Sequence, residues 1–448
     1  MAGFIALFRT GAYLTRERVR LVAAAVLIAF VIGAVILLLG AQGLSDSTGR
    51  PLGTDFSSFY AAGTMVHDGL AAQAFDRVAH FARQQAIFGP DARYYAFQYP
   101  PVFLLLAAGM AKLPYLTSLA VWQAATFVLY LLTIHAILKT SSWPGLSRPS
   151  TTFLTNAKQD VDARDKPGHD EKKAVSSDKL WLLLAIAFPA VFINLGHGQN
   201  GFLTVALFGG ALTLLDRRPL VAGILIGLMI YKPQFGLMIP LVLLATGRWR
   251  VIFAAAGTIA VLLAITLLAL GPAVWPAFLD SMTITRVVLL EEGDIGWFKI
   301  QSVFAWGRLW GGPVALAYLI QTIVTLSVAA ALIWFWRSPA RYPLKASALL
   351  IGSLLATPFC LDYDLMLLAP VIAFLALDGL RHGFCYWHKT VLAALWLVPL
   401  IARSVAEAVS IPLAAPLLLA AFFFVLQRAI SDGSGVQSDG TMAATGLK

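Results

Sequence analysis

Apolar residues run through this chain in long blocks separated by short polar breaks. The first uninterrupted block is 21–39. Twelve more follow, at about 99–113, 118–138, 180–195, 202–215, 220–231, 234–246, 251–270, 313–336, 346–356, 365–377, 391–402 and 411–426. A bilayer core takes about 20 residues of helix, so blocks of this kind predict membrane-spanning helices. Several blocks are too short for a full crossing. They predict tilted, broken or re-entrant segments, because irregular backbone at membrane depth survives only against a protein-walled cavity. The expected fold is an all-α polytopic membrane protein of about 11–13 transmembrane helices. A cytoplasmic C-terminus needs an even number of crossings, and the short block 99–113 is the one expected to be re-entrant.

Composition sharpens this picture. The chain has 448 residues, of which 59% are hydrophobic and 12% charged, with a mean hydropathy of +0.78. A soluble domain carries about a quarter charged residues. An ordinary soluble enzyme, a disordered protein and a disulfide scaffold are therefore excluded. The net charge of +10 would suit nucleic acid only if the basic residues formed a stripe. They collect instead at the ends of apolar blocks, and no nucleic-acid partner is expected. Clusters at Arg217-Arg218, Arg248–Arg250, Arg337–Arg341 and Arg381–Lys389 predict cytoplasmic turns. The loops near 41–98, 195–201, 272–311, 357–364 and 403–410 then face outward. Residues 1–20 are basic and amphipathic, and 21–39 reads as an uncleaved signal anchor of the inner (plasma) membrane. Cys360 and Cys385 form no metal or disulfide pattern.

One block departs from the rest. Residues 141–180 hold 7 Lys/Arg and 6 Asp/Glu without periodicity, a composition that builds no core. Its core, 141–178, is expected to be a disordered inserted loop. The string Val161–Asp170 looks like a translated dispersed repeat. Residues 429–448 are expected to form a disordered cytoplasmic tail, leaving 1–428 as the membrane domain.

Candidate chemistry sits in the outward loops. Asp55, in Thr54-Asp55-Phe56-Ser57-Ser58-Phe59-Tyr60, is placed to act as a general base toward a hydroxyl. On this string alone the favoured reading is a solvated loop carboxylate or a helix cap. Tyr99-Pro100-Pro101 reads as an interfacial helix entry. Asn194-Leu195-Gly196-His197-Gly198-Gln199-Asn200 interrupts two apolar blocks as a tight turn or a cavity wall. Lys232 lies between two short apolar blocks. An ionisable residue there is a functional candidate, for example a point charge for a lipid phosphate, or a snorkelling lysine. The loop 272–311 mixes Arg286, Lys299 and Glu291 with tryptophans, as a lid or an interfacial helix would. Asp362 and Asp364 stand at an outer helix start, where they meet sugar hydroxyls or complement the helix dipole. No P-loop, GxSxG, HExxH or paired CxxC pattern is present, and no metal or cofactor is expected.

In order and spacing, these strings resemble bacterial glycosyltransferase family 87. The residues that carry the resemblance are Asp55-Phe56…Tyr60…Gly69, Tyr99-Pro100-Pro101, Trp122, Gly198-Gln199-Asn200, Gly223…Gly227…Lys232-Pro233 and Thr357-Pro358…Tyr363-Asp364 with Pro370. It covers about 20–428 apart from 141–178. The resemblance implies a GT-C-like helical bundle with a long outer loop after helix 1 and an outward-facing active site. It implies transfer of a sugar, by default mannose, from a polyprenyl-phosphate carrier to a glycolipid or glycan hydroxyl, with inversion. By this analogy Asp55 is the catalytic base. Lys232 lies near the donor phosphate, with Arg286 and Lys299 as further cations. Tyr60, Tyr99, His197, Gln199, Asn200, Tyr363 and Asp364 contact substrate. The first loop carries one carboxylate instead of a DxD pair, which speaks against a tightly held metal. The rival readings are a multi-pass transporter or lipid flippase, which does not explain the long outer loop, and a non-catalytic envelope scaffold.

Overall fold

A computed structural model describes residues 2–140 and 179–433. The inserted block 141–178 and the chain beyond 433 lie outside the described residues. The last helix runs to Gly433, five residues into the stretch expected to be a tail.

The N-terminal helix α1 (Ala2–Thr10) precedes the first span, α2 (Arg16–Leu39). The Thr15 hydroxyl accepts from the Arg18 amide and starts α2. Then come α3 (Thr54–His67), α4 (Arg77–Phe88) and α5 (Pro101–Met110). Asp76 caps α4 by accepting from the Ala79 amide, one of the four orphan donors of a helix start. The chain continues through α6 (Tyr115–Lys139), α7 (Leu180–Ile186), α8 (Pro189–His197), α9 (Gly201–Leu214), α10 (Pro219–Leu228), α11 (Pro233–Gly236) and α12 (Met238–Ala245). It ends with α13 (Trp249–Leu270), α14 (Val274–Ile284), α15 (Val303–Leu309), α16 (Val314–Arg337), α17 (Tyr342–Leu355), α18 (Leu368–His382), α19 (His388–Val409) and α20 (Ala414–Gly433). A π-helical stretch, Thr285–Glu291, prolongs α14, and a 3-10 turn, Asp362–Leu367, leads into α18. Among the described residues there is no β-strand.

Among the described residues six helices are long and apolar enough to cross a membrane, and α7 with α8, bent by 41°, form a broken span or a re-entrant loop. Six more apolar helices have only 10–17 residues. The protein is an all-α, multi-pass membrane protein. Its outermost span, α2, has 6% of its apolar window buried, against 83% for the span Asp362–His382. The difference is one of solvent: lipid is as apolar as leucine, so a peripheral span gains little by turning inward. Where helices do meet tightly, small residues permit it. A Cβ on Gly223 would lie 2.5 Å from the Val251 carbonyl oxygen, and one on Gly227 2.8 Å from that of Ala255, so α10 lies flush against α13.

Long-range hydrogen bonds define two ends of the bundle. At one end Tyr115 donates to the Leu52 carbonyl, Trp122 to that of Gly198, and the Gln301 amide to that of Cys360. At the other, Arg248 pairs with Asp216, Arg341 and Arg428 with Asp378, and Arg381 donates to the Thr140 carbonyl. Successive spans alternate between these ends. Helix α5 does not, since Tyr99 before it and Tyr115 after it both belong to the first end. The block 99–113 thus turns back without crossing, and both described termini fall at the second, arginine-rich end.

Candidate functional site

A cavity of about 500 Å³ opens at the first end. Its walls come from seven separate stretches: the loop and helix start around Arg50–Ser58, the Ala74–Arg77 stretch before and into α4, the segment 93–99, the α8–α9 turn, the α14–π stretch, the Asp294–Lys299 loop and the turn 359–363, with Arg403 of α19 closing one side.

Asp55 stands in the first turn of α3, where the helix dipole favours a carboxylate. Its Oδ2 accepts from Gln199 Nε2 at 2.8 Å. The orientation of that amide is forced. Gln199 Oε1 accepts from the Tyr99 hydroxyl at 3.0 Å and from the Asn200 backbone amide at 3.1 Å, which leaves the NH₂ group for Asp55. Asp55 Oδ1 lies 3.9 Å from His197 Nδ1, and that nitrogen is 2.7 Å from the Thr54 hydroxyl. Gly198 makes this approach possible. It has φ +62°, and a Cβ there would fall 2.5 Å from that of Phe56.

The opposite wall holds Asp362 and Arg403, 3.7 Å apart. A short antiparallel bridge between Ile300 and Leu361 ties the 297–301 loop to this wall and brings Lys299 into the cavity. Burial, helped by the neighbouring Arg403, pushes the Lys299 amine below its ordinary range. A cation so placed gains from an incoming anion, which favours its charged form. Burial pushes the phenols the other way. Tyr94 is raised to about 12, and Tyr95 and Tyr99 are raised as well, so these groups stay protonated and serve as donors.

The structure gathers Asp55, Tyr99, His197, Gln199, Lys299 and Tyr363 on one cavity wall system. Five other candidates stand elsewhere. Lys232 is 3% exposed and makes a 2.6 Å ion pair with Asp364, beneath the Tyr363 ring and away from the lining. Asp364 also accepts from the Leu361 amide, so the pair braces the turn that carries Asp362 and Tyr363. Tyr60 donates to the Leu113 carbonyl, and Arg286 faces Glu291 at 3.4 Å with its side chain 61% exposed. Asn200 is buried behind Gln199, which it serves through its backbone amide. The sequence reading missed Arg50, Arg93 and Arg403 as cavity residues. Arg403 had a signal, a lone cation directly after an apolar block. Arg50 and Arg93 had none, because loop arginines are common. Among the described residues, no three His, Cys, Asp or Glu side chains are grouped to hold a metal ion.

Residues 97–358, more than half of the chain, match the family model of glycosyltransferase family 87. The chain belongs to glycosyltransferase family 87. Its family is one of glycosyltransferases, and its fold is that of a multi-pass membrane protein. The match takes in Tyr99, His197, Gln199, Lys232 and Lys299, and begins after Asp55. Two curated relatives are similar over short stretches. An error-prone DNA polymerase of Rhodopseudomonas palustris (strain HaA2) is 70% identical over 33 residues, 7% of this chain and 3% of the polymerase. One of strain BisA53 is 54% identical over 54 residues, 11% and 5% respectively. The chain thus spans only a few per cent of these relatives' length. A fragment of that size is below what folds as a domain and carries no polymerase activity across. No solved structure matches.

Proposed function

We propose that this family 87 enzyme transfers a hexose, by default mannose, from a polyprenyl-phosphate carrier to a glycolipid or glycan hydroxyl. The observation that carries the reading is the Asp55 carboxylate, held by the Gln199 amide on the wall of a cavity that also presents Arg50, Arg93, Lys299 and Arg403. A direct displacement needs a base for the acceptor hydroxyl and cations for the departing phosphate. Asp55 is the base. It removes the hydroxyl proton as the acceptor oxygen attacks the anomeric carbon, and the phosphate leaves from the opposite face, inverting that centre. The half-buried cations Lys299 and Arg403, with the exposed Arg50, receive the leaving charge. They replace Lys232 in that role, because the charge of Lys232 is already matched by Asp364. Tyr99, His197, Gln199, Asp362 and Tyr363 orient the sugars. The arginine-rich end lies in the cytoplasm by the positive-inside rule, so the cavity opens to the outer side of the inner membrane.

The test uses purified enzyme in lipid with a panel of labelled polyprenyl-phosphate sugars and a membrane glycolipid extract. Wild type should yield a new labelled product. A folded Asp55→Asn protein should be slower by about 10²–10⁴-fold, the worth of a positioned base. Undiminished transfer by that variant removes Asp55 from the role. Substrate movement across vesicles without bond formation replaces the transferase reading for this substrate with transport.

A further inference from the structure

A second cavity, of about 420 Å³, lies between α2, α6, α7, α18 and α19. It belongs to the arginine-rich end, since Arg16 and Leu138, Leu180 and Leu380 are in its lining. It shares no residue with the polar cavity. Its walls are aliphatic and aromatic, with Ile134, Trp181, Leu184, Phe188, Ile372 and Trp396 the largest contributors. Two of the three ring polar atoms in the lining are engaged. The Tyr130 hydroxyl donates to the Ala185 carbonyl at 2.9 Å, and Trp396 Nε1 to that of Leu184 at 3.0 Å. A cavity lined mainly by apolar groups holds hydrocarbon in preference to water.

The rim has the opposite character. Three lining leucines each adjoin a cation in the chain, Leu138 with Lys139, Leu180 with Lys179 and Leu380 with Arg381, and Arg16 itself is in the lining. All four cations are exposed. The carboxylates nearby in sequence are Glu17, Asp178 and Asp378, and Asp378 is enclosed by Arg341 at 2.9 Å and Arg428 at 2.8 Å. A dry apolar cleft under a cationic rim, within a membrane-spanning bundle, has the chemistry of an anionic lipid: hydrocarbon below and negative headgroup above.

We propose that this cleft binds one anionic phospholipid of the leaflet at the arginine-rich end, with an acyl chain between α6, α7, α18 and α19 and its headgroup on the rim cations. The site is separate from the reaction, and the proposal stands whichever sugar the polar cavity handles. The lipid braces helices whose far ends carry catalytic-cavity residues: His197 at the end of α8, Asp362 before α18 and Arg403 on α19.

The test places the full-length protein in phosphatidylcholine nanodiscs. These are doped with a phosphatidylglycerol bearing a diazirine at one acyl terminus, or with a phosphatidylcholine bearing the same chain. After photolysis, labelled peptides are mapped by mass spectrometry. The expected result is saturable labelling of 180–188 and 369–380, stronger for phosphatidylglycerol by about fivefold, the preference that one effective rim charge confers. Ala376→Trp, which fills the cleft from its half-buried side, should remove this labelling while leaving that of α2 unchanged. Ala373→Leu serves as a milder filling should the first variant fail to fold. Lys139→Gln with Lys179→Gln should erase the headgroup preference while the chain still labels. Labelling that rises linearly with bulk lipid, or that persists in both filled variants, overturns the site. Equal labelling by the two wild-type probes overturns its anionic specificity.

Discussion

The two cavities are of similar size, about 500 and 420 Å³, and chemically opposed. In the polar one, charged groups are brought together with partners that only partly satisfy them. Asp55 keeps one oxygen at 3.9 Å from the nearest His197 nitrogen, Arg403 stands 3.7 Å from Asp362, and Lys299 is held below its normal basicity by burial. In the apolar one the Tyr130 and Trp396 ring donors end on backbone carbonyls. A group left partly unsatisfied responds to a ligand, and one fully matched does not. The contrast teaches that reactivity in this protein follows from where matching stops. Lys232 makes the same point from below the polar cavity. It is the most deeply placed lysine candidate, and Asp364 already completes it.

The contrast can be broken at several points. The largest effect is expected from Asp55→Asn, a loss of about 10²–10⁴-fold in transfer with an unchanged melting temperature. A matched loss of stability instead would make Asp55 a helix-start residue and nothing more. Next is Lys232→Met. It strands the Asp364 carboxylate in a buried site and should cost about 3–5 kcal/mol in thermal or denaturant unfolding, with the double variant Lys232→Met/Asp364→Asn recovering most of it. If the single variant keeps its stability and raises only the donor KM, the lysine touches substrate and the two-cavity contrast fails at that residue.

His80 sharpens the polar side through pH. Burial drives its imidazole down to about 4. Its ring accepts from Gln84, whose amide holds both backbone groups of Tyr95 on the cavity segment. The unfolded chain binds this proton near pH 6.5 and the folded one only near 4. Stability from neutral His80 is therefore complete above about 6.5 and declines as pH falls toward 4, by about 3 kcal/mol in all. His80→Gln should flatten that part of the stability profile. The smallest effect is expected on the apolar side. Trp396→Phe removes one hydrogen bond to the Leu184 carbonyl, costs about 1 kcal/mol in unfolding and leaves transfer rates alone. A changed rate would mean that the apolar cleft takes part in catalysis.

The apolar blocks locate the helices well because lipid imposes one rule on every span: backbone groups pair within the helix, and side chains are apolar. Each long apolar helix among the described residues falls on a block seen in the sequence, whereas α1, α3, α4, α14 and α15 lie outside those blocks, and the doubtful block 99–113 turns back as its length implies. The site was legible only in part. Asp55, His197, Gln199 and Lys299 sit in loops where polar residues interrupt apolar runs, and such interruptions are visible in a linear chain. The loop arginines Arg50 and Arg93 look like any other loop cation.

By itself, then, the sequence determined the spans, the basic end, the family and the loops that hold the chemistry. Those are properties of local composition and period. Tertiary structure alone decided which charges meet. Lys232 finds Asp364 across 132 residues, and Gln199 finds Asp55 across 144. Local pattern carries no term for partners so far apart. Only helix packing at one end of the bundle set Lys232 in a closed ion pair and left Asp55 at the edge of a cavity.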